Sequence, residues 1–293
     1  MDTLRFDSVG SASLIRQFVH EPHAIEGRAR PVAALLYRAL LAQELFAYGL
    51  LDRLSRNGPD RDELVTEVTA LIKTFERPLL LQRVVTSIRR ICPGLKIVVV
   101  DDSRAPVPLE GVETVVMPFD SGISAGRNEG LGHVRTKYVL LLEDDLVFFR
   151  ATRLAQALQM MERHPAIDIM GGQLIDLPFF GTRVPRAGKL FATSAIPKTP
   201  IGSTIGGLAV CERVSNFFIA RTDRLKLVPW DPALRRLEHS DFFTRALGVL
   251  TTVFDPELKC LHARTPFDAE YMSKRLDLST ERSILARKHE APR

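Results

Sequence analysis

KYVLLLEDDLVFF, Lys137 to Phe149, carries three consecutive carboxylates inside a run that otherwise reads as buried. Glu143, Asp144 and Asp145 follow Tyr138 to Leu142 with no turn residue between. Ionised carboxylates are costly to bury unless a cation or strong donors meet them. The stretch therefore reads as a buried strand whose carboxyl end needs positive charge opposite it.

The flanking sequence repeats this strand pattern. Val68 to Thr74 is strand-like, and Pro78 to Ile91 reads as a helix with proline in its first turn. Leu95 to Val100 is a buried strand ending at Asp101-Asp102-Ser103. A strand over Val112 to Met117, a helix over Ser124 to His133 and a strand over Lys137 to Leu142 follow. Beyond the acids come a helix over Arg153 to Arg163 and a strand over Ile167 to Ile175. Later, Val214 to Ala220 reads as a buried strand, Glu238 opens a helix to about Leu247, and Val249 to Phe254 is a final strand. Short apolar runs separated by helices predict an α/β fold with a mostly parallel sheet covered on both faces. In such sheets ligands bind beyond the carboxyl ends of the strands. Two of those ends are acidic, at Asp101-Asp102 and at Glu143-Asp144-Asp145.

Three segments are expected: a helical extension over 1–66, the α/β domain over 67–267 and a charged, mobile helical tail over 268–293. In the first, Pro31 to Leu54 has apolar residues at helical spacing, and Asn57-Gly58-Pro59 is a stop signal. That stripe reads first as a core-facing or partner-facing surface, which leaves homo-oligomerisation through this helix open, with a membrane-surface helix as the alternative. His20 and His23 flank Pro22, a poor spacing for a metal site. Between Asp176 and Val214 periodicity is lost, so 176–212 reads as a functional loop shaping the choice of acceptor.

The chain has 293 residues, 45% of them apolar and 26% charged, an ordinary globular composition. Its net charge of +5 is spread along the chain. That suits a polyanionic small ligand or peripheral association with a membrane, whereas no basic patch with interleaved aromatics points to nucleic acid. Three cysteines with no CxxC spacing argue against a disulfide framework or cysteine-type zinc site. No uninterrupted apolar stretch reaches about 18 residues and no signal-peptide layout opens the chain. A cytoplasmic protein, peripheral at most to the inner membrane face, is the expectation.

The acidic triplet has two readings: solvated carboxylates capping the next element, or ligands for a hard cation that in turn holds phosphate. Mn²⁺ and Mg²⁺ accept carboxylate oxygens and share their shell with substrate phosphates. Side chains alternate along an extended segment, so Glu143 and Asp145 would face one side together, as in a D-x-D motif.

With these blocks in order, IKTFERPLLLQRVVTSIRR, VVVDDS, MPFDSGISAGRNEGL and KYVLLLEDDLVF, the chain resembles the GT-A glycosyltransferases of family 2. Within them it is most similar to the β-1,4-N-acetylgalactosaminyltransferases. The resemblance spans roughly Val68 to Arg264. It does not reach the first 65 residues, where vertebrate members carry a transmembrane anchor that this chain is expected to lack.

The resemblance implies a GT-A domain and an inverting, metal-dependent transfer from a UDP-sugar to a hydroxyl acceptor on a glycan or glycoconjugate. Lys73, Thr74, Phe75 and Arg77 match the segment that meets the nucleotide, and Asp102, beside Asp101, matches the carboxylate that reads uracil or ribose. Arg127 and Asn128 match a block bordering the nucleotide. Glu143 stands at the first D-x-D position, near ribose and metal, Asp144 lies between, and Asp145 would bind the metal directly. Glu143 departs from the aspartate usual there. The helix start Glu238-His239-Ser240-Asp241 would supply the base, with Asp241 first, then His239 or Glu238. His262, just after the last strand, would be a third metal ligand. Two other classes stay open: a sugar-1-phosphate nucleotidyltransferase, disfavoured because FERPLLL replaces a Gly-rich phosphate loop, and a non-catalytic nucleotide-sugar-binding protein.

Overall fold

A computed structural model describes residues 18, 25, 27–54, 66–183, 190–274 and 278–289. In chain order its elements begin with α1 (Ala29–Leu54), β1 (Val68–Thr74), α2 (Pro78–Ile91), β2 (Lys96–Asp101), β3 (Glu113–Val116), α3 (Ile123–His133) and β4 (Tyr138–Glu143). There follow β5 (Leu146–Val147), α4 (Leu154–Arg163), β6 (Ile169–Leu177), β7 (Gly181–Arg183), β8 (Thr204–Ile205), β9 (Leu208–Val210) and β10 (Phe218–Arg221). The chain closes with α5 (Thr222–Leu225), α6 (Glu238–Ala246), β11 (Thr252–Ala263), α7 (Ala269–Ser273) and α8 (Ser279–His289).

The strands form one mixed sheet in the order β3-β2-β1-β4-β10-β6-β11-β9-β8, with β5 added to β11 and β7 to β6. β1 is central to its parallel part, pairing in parallel with β2 and β4. Its residues are nearly all buried because helices cover both faces, which is why these strands are apolar throughout rather than alternating. One face packs against α2 and α4 through Leu81, Val84, Ile88, Leu154 and Leu158. The other packs against α3 and α6 through Leu131, Phe242 and Phe243. The register sets Lys73 beside Glu143 and Thr74 beside Asp101, so the carboxyl ends of β1, β2 and β4 finish together.

The second half departs from expectation in four places. First, β10 enters antiparallel between β4 and β6, so the sheet is parallel only in part. Second, Val214 to Phe217 is not strand. It crosses two glycines, where a Cβ on Gly171 would lie 2.2 Å from Val214 Cβ and one on Gly172 would lie 2.5 Å from the Leu258 carbonyl oxygen. Third, β11 does not stop at Phe254 but resumes after a register shift between Asp255 and Lys259, which puts His262 inside the strand. Asp255-Pro256 looks like a strand end in sequence, yet the chain bulges and re-pairs there. Fourth, the 176–212 segment contains β7 and the β8–β9 hairpin; residues 184–189 lie outside the described part.

The C-terminal tail also differs from expectation: α8 is docked, with Leu285 buried. At the other end α1 rests on the domain through Ala33, Tyr37 and Leu41. By length and composition this helix is long and apolar enough to cross a membrane, contrary to the expectation that no segment is. The stop at Asn57-Gly58-Pro59, and His20 and His23, lie outside the described residues.

Gly172 lets the Val214–Phe217 segment lie flat on the sheet. Gly172→Ala should therefore lower stability by about 1–3 kcal/mol, because the added methyl meets backbone as well as Phe217. Urea denaturation should show a lower midpoint with an unchanged slope; an unchanged midpoint would mean the segment is free to lift.

Candidate active site

The carboxyl ends of β1 and β4 open into a cleft of about 560 Å³. β1 and the turn after it contribute Lys73, Phe75 and Arg77, and β4 and its following turn contribute Glu143, Asp144 and Asp145. β11 brings His262, the residue after the strand is Arg264, and the first turn of α6 brings Glu238 and His239. The wall is completed by Asn216 and by Tyr271 and Lys274 from α7 and the residue after it.

Each acid of the triplet meets a different partner. Asp144 turns inward, accepting from Thr74 Oγ1 at 2.8 Å and from Arg77 Nε at 3.1 Å, with a second bond from Arg77 Nη2. Arg77 also reaches Asp145 at 3.4 Å, and its guanidinium lies 4.0 Å from the centroid of the Tyr271 ring. Glu143 Oε1 accepts from Asn216 Nδ2 at 3.0 Å and lies 3.9 Å from Arg127 Nη2. Asp145 Oδ1 stands 3.5 Å from His262 Nε2, and it is a buried oxygen with no hydrogen-bond partner. Burial works to raise the Asp145 carboxyl, but the facing His262 and the guanidinium of Arg77 outweigh it and hold it well below the usual range. His262 shows the converse. Burial would lower it, yet Asp145 and Asp176, the latter 2.6 Å from Nδ1, push it up to about 9.

Glu143, Asp145 and His262 each offer one ligand atom, all within 4.8 Å of one another. Oδ1 of Asp145 makes no hydrogen bond and has only the ion pair with His262 at 3.5 Å, and an O,O,N donor set suits Mn²⁺ or Mg²⁺. The residues present therefore fit the group that the D-x-D reading implies.

On the opposite side of the cleft Phe75 faces Phe119, ring centroids 5.5 Å apart, with Lys274 over the Phe75 ring. Five residues expected at the nucleotide, Thr74, Asp101, Asp102, Arg127 and Asn128, do not line this cleft. Asp102 is fully buried and does not line the cleft: Lys73 Nζ occupies one carboxylate oxygen and the Gly122 N–H the other, at 2.9 Å. Asp101 Oδ1 accepts the Ser103 N–H at 2.8 Å and closes the turn after β2. Both carboxylates thus accept from groups of the fold itself. Arg127 and Asn128 likewise sit behind the cleft. Arg127 Nη1 holds Glu238 at 2.6 Å, and Asn128 clamps Trp230 by a pair of bonds to its backbone N–H and carbonyl. Thr74 is spent on Asp144.

The helix start is corrected too. Asp241, the first choice as base, is fully buried and points away from the cleft. It meets Arg245 at 2.9 Å, Lys288 at 2.8 Å and His289 at 2.9 Å, so it anchors α8 on α6. Glu281 of α8 adds to this by accepting the N–H groups of Arg236 and Leu237, at 2.7 and 2.8 Å, just before α6. His239 and Glu238 remain at the cleft. Burial first, then Arg127 and Arg213, lower His239 to about 3, so its imidazole is neutral at ordinary pH. Burial raises Glu238 in spite of Arg127.

Asn216 was not singled out from sequence. Its amide orients the imidazole: the Glu143 carboxylate can only accept, so Asn216 Nδ2 donates to it, and Asn216 Oδ1 faces His239 Nδ1 at 2.8 Å. Nδ1 then carries the proton and Nε2 is the accepting atom. An amide beside Ser215, at the head of the apolar run Phe217-Phe-Ile-Ala220, was the available signal.

Residues 69–216 match the model of the family described as "Glycosyl transferase family 2". Human beta-1,4 N-acetylgalactosaminyltransferase 1 is 38% identical over 199 residues, covering 62% of this chain and 36% of that protein. Mouse beta-1,4 N-acetylgalactosaminyltransferase 2 is 33% identical over 223 residues, covering 71% of this chain and 42% of that protein. The chain thus spans well under half the length of these relatives. Among solved structures, S. aureus TarS superposes with a TM-score of 0.52 at 18% identity, over 74% of this chain and 39% of that one. A shorter form, TarS 1–349, gives 0.51 at 17% identity over 66% and 59%. These likenesses establish the fold, the GT-A arrangement of a mixed sheet with parallel central strands between helices.

A cation on His262 must displace its proton. Titrating Mn²⁺ into the protein at pH 7.5 in buffers of different ionisation enthalpy should show close to one proton released per ion, and Asp145→Asn should abolish the binding. No buffer dependence would remove His262 from the ligand set. Without metal, the folded value of about 9 lies above the ordinary histidine value of about 6.5. The stabilisation from protonated His262 is therefore complete below about pH 6.5 and lost as pH rises through about 9.

Proposed function

Because the chain belongs to glycosyl transferase family 2, we propose that it transfers a sugar of the GalNAc, GlcNAc, Gal or Glc class, with inversion, from a UDP-sugar to a hydroxyl of a glycan or glycoconjugate. The observation carrying this reading is the grouping of Glu143, Asp145 and His262, with ligand atoms within 4.8 Å of one another, in a cleft that also holds Arg77, Arg264 and Phe75.

In this reading Glu143, Asp145 and His262 hold a divalent cation. When bound, that ion supplies charge neutralisation for the departing diphosphate, a stabilisation that grows towards the transition state. Phe75 and Phe119 offer apolar faces for the nucleobase, and Lys274 and Arg264 offer charge to the phosphates. Arg77 is held by Asp144 and serves to fix the acid loop rather than to meet the donor.

His239 is the proton acceptor. Its Nδ1 is committed to Asn216, so Nε2 takes the proton of the acceptor hydroxyl as it attacks. The low value of the free imidazole follows from burial and two guanidiniums, and an anionic donor beside them opposes that effect and strengthens the base. Glu238 keeps Arg127 in place between itself and Glu143. Asp241 secures α6 from behind.

UDP release from a panel of UDP-sugars with Mn²⁺, with and without glycan acceptors, tests the activity; no release from any donor would contradict it. Three variants test the roles. His239→Ala should lose about 10²–10⁴ in transfer while keeping UDP affinity. Asp241→Asn should retain transfer per folded molecule yet lose about 1–3 kcal/mol of stability, since Arg245, Lys288 and His289 lose their shared carboxylate. Glu238→Gln should leave the pH dependence of kcat/KM unchanged. At saturating Mn²⁺ a His239 base gives no acid limb between pH 5 and 8, because the free imidazole titrates near 3. A limb above the ordinary glutamate range would move the role to Glu238, whose carboxyl burial raises.

A further inference from the structure

α1 turns its apolar side outward. It meets the body of the protein through Ala33, Tyr37 and Leu41, which pack with Phe149, Leu177 and Phe267. The opposite face carries Val32, Leu35, Leu36, Phe46, Leu50 and Leu54, of which Leu35, Phe46 and Leu54 are 69, 72 and 71% exposed. Beside it Leu79, at the start of α2, is 77% exposed and borders the groove between the two helices. A contiguous exposed apolar face of this kind marks an interaction surface rather than ordinary surface scatter.

Charge on the helix is sorted in the opposite sense. Both acids turn inward: Glu44 accepts the Phe179 N–H at 3.3 Å, and Asp52 meets Arg90 at 2.9 Å and the Arg150 N–H at 2.9 Å. Arg38 and Arg53 stand exposed, as does Arg28 just before the helix, and α1 shows no exposed acid. The outer face is thus apolar with a purely cationic rim.

We propose that this face docks on an anionic lipid surface, with α1 lying in the plane of the interface. Apolar side chains would enter the acyl boundary while arginines meet lipid phosphates, the arrangement of interfacial helices. The inward anchors Ala33, Tyr37 and Leu41 tie the helix along the domain, which fits a flat orientation. A second copy of the chain suits the face poorly. Pairing α1 with α1 would bring arginines from both copies together with no exposed acid to answer them.

Co-sedimentation of the full chain with vesicles tests this. The protein should pellet with phosphatidylcholine–phosphatidylglycerol vesicles and much less with phosphatidylcholine alone, and added salt should weaken binding. Leu35→Ser/Phe46→Ser/Leu50→Ser should bind at least about tenfold more weakly, since three exposed apolar anchors are lost. Arg38→Gln/Arg53→Gln should lose the preference for anionic lipid. All these side chains are exposed, so thermal melting should confirm an unchanged fold. A wild-type protein that stays in the supernatant, or a serine variant that pellets equally well, would overturn the proposal. So would a wild-type dimer in light scattering that the serine variant turns into a monomer, because the face would then belong to a second copy.

Discussion

Three carboxylates in sequence at the end of a buried strand impose the constraint around which the site is arranged. Charges this close repel, and each is costly to desolvate alone. The protein separates them by direction. Asp144 turns under the sheet edge to Arg77 and Thr74, while Glu143 reaches Asn216 and Arg127. Asp145 is left facing His262 with one oxygen that makes no hydrogen bond. The inward acid is satisfied within the fold, whereas the outward pair gathers with a histidine where a cation fits. Having Asp144 locked to Arg77 also fixes the backbone that carries its two neighbours.

A second set of contacts holds the helix opposite. Arg127 links Glu238 to Glu143 behind the cleft, so α6 and the acid loop share one guanidinium. Asn128 fixes Trp230, Glu281 occupies the backbone donors before α6, and Asp241 ties the helix to α8. His239 therefore sits on an element clamped from both sides, as a proton acceptor requires if its geometry is to be preserved through turnover. The charged C-terminal segment is part of this support.

The first half of the fold is legible because its signals are local and strong. Pro78 marks the start of α2, and unbroken apolar runs mark β1, β2 and β4. β11 was hidden by Asp255-Pro256, which reads as an end although long-range pairing with β6 carries the strand on to Ala263. The acids of the site were legible as residue types at strand ends. Their roles were not. Asp102 looks identical to a ligand-reading carboxylate until Lys73 is seen to cover it, and the two lie 29 positions apart. Asp241 and His239 share one helical turn, and only the docking of α8 decides which of them faces the cleft. Asn216 escaped notice because a single amide acquires meaning only between Glu143 and His239.

The most direct test of this account is the affinity of the protein for UDP with and without Mn²⁺, measured by calorimetry at pH 8. The account predicts that Mn²⁺ strengthens UDP binding at least about tenfold, since Asp145, Glu143 and His262 would hold the ion and it would supply charge to the diphosphate. Equal affinity in Mn²⁺ and in chelator would contradict it, leaving the acid cluster without the role its geometry suggests.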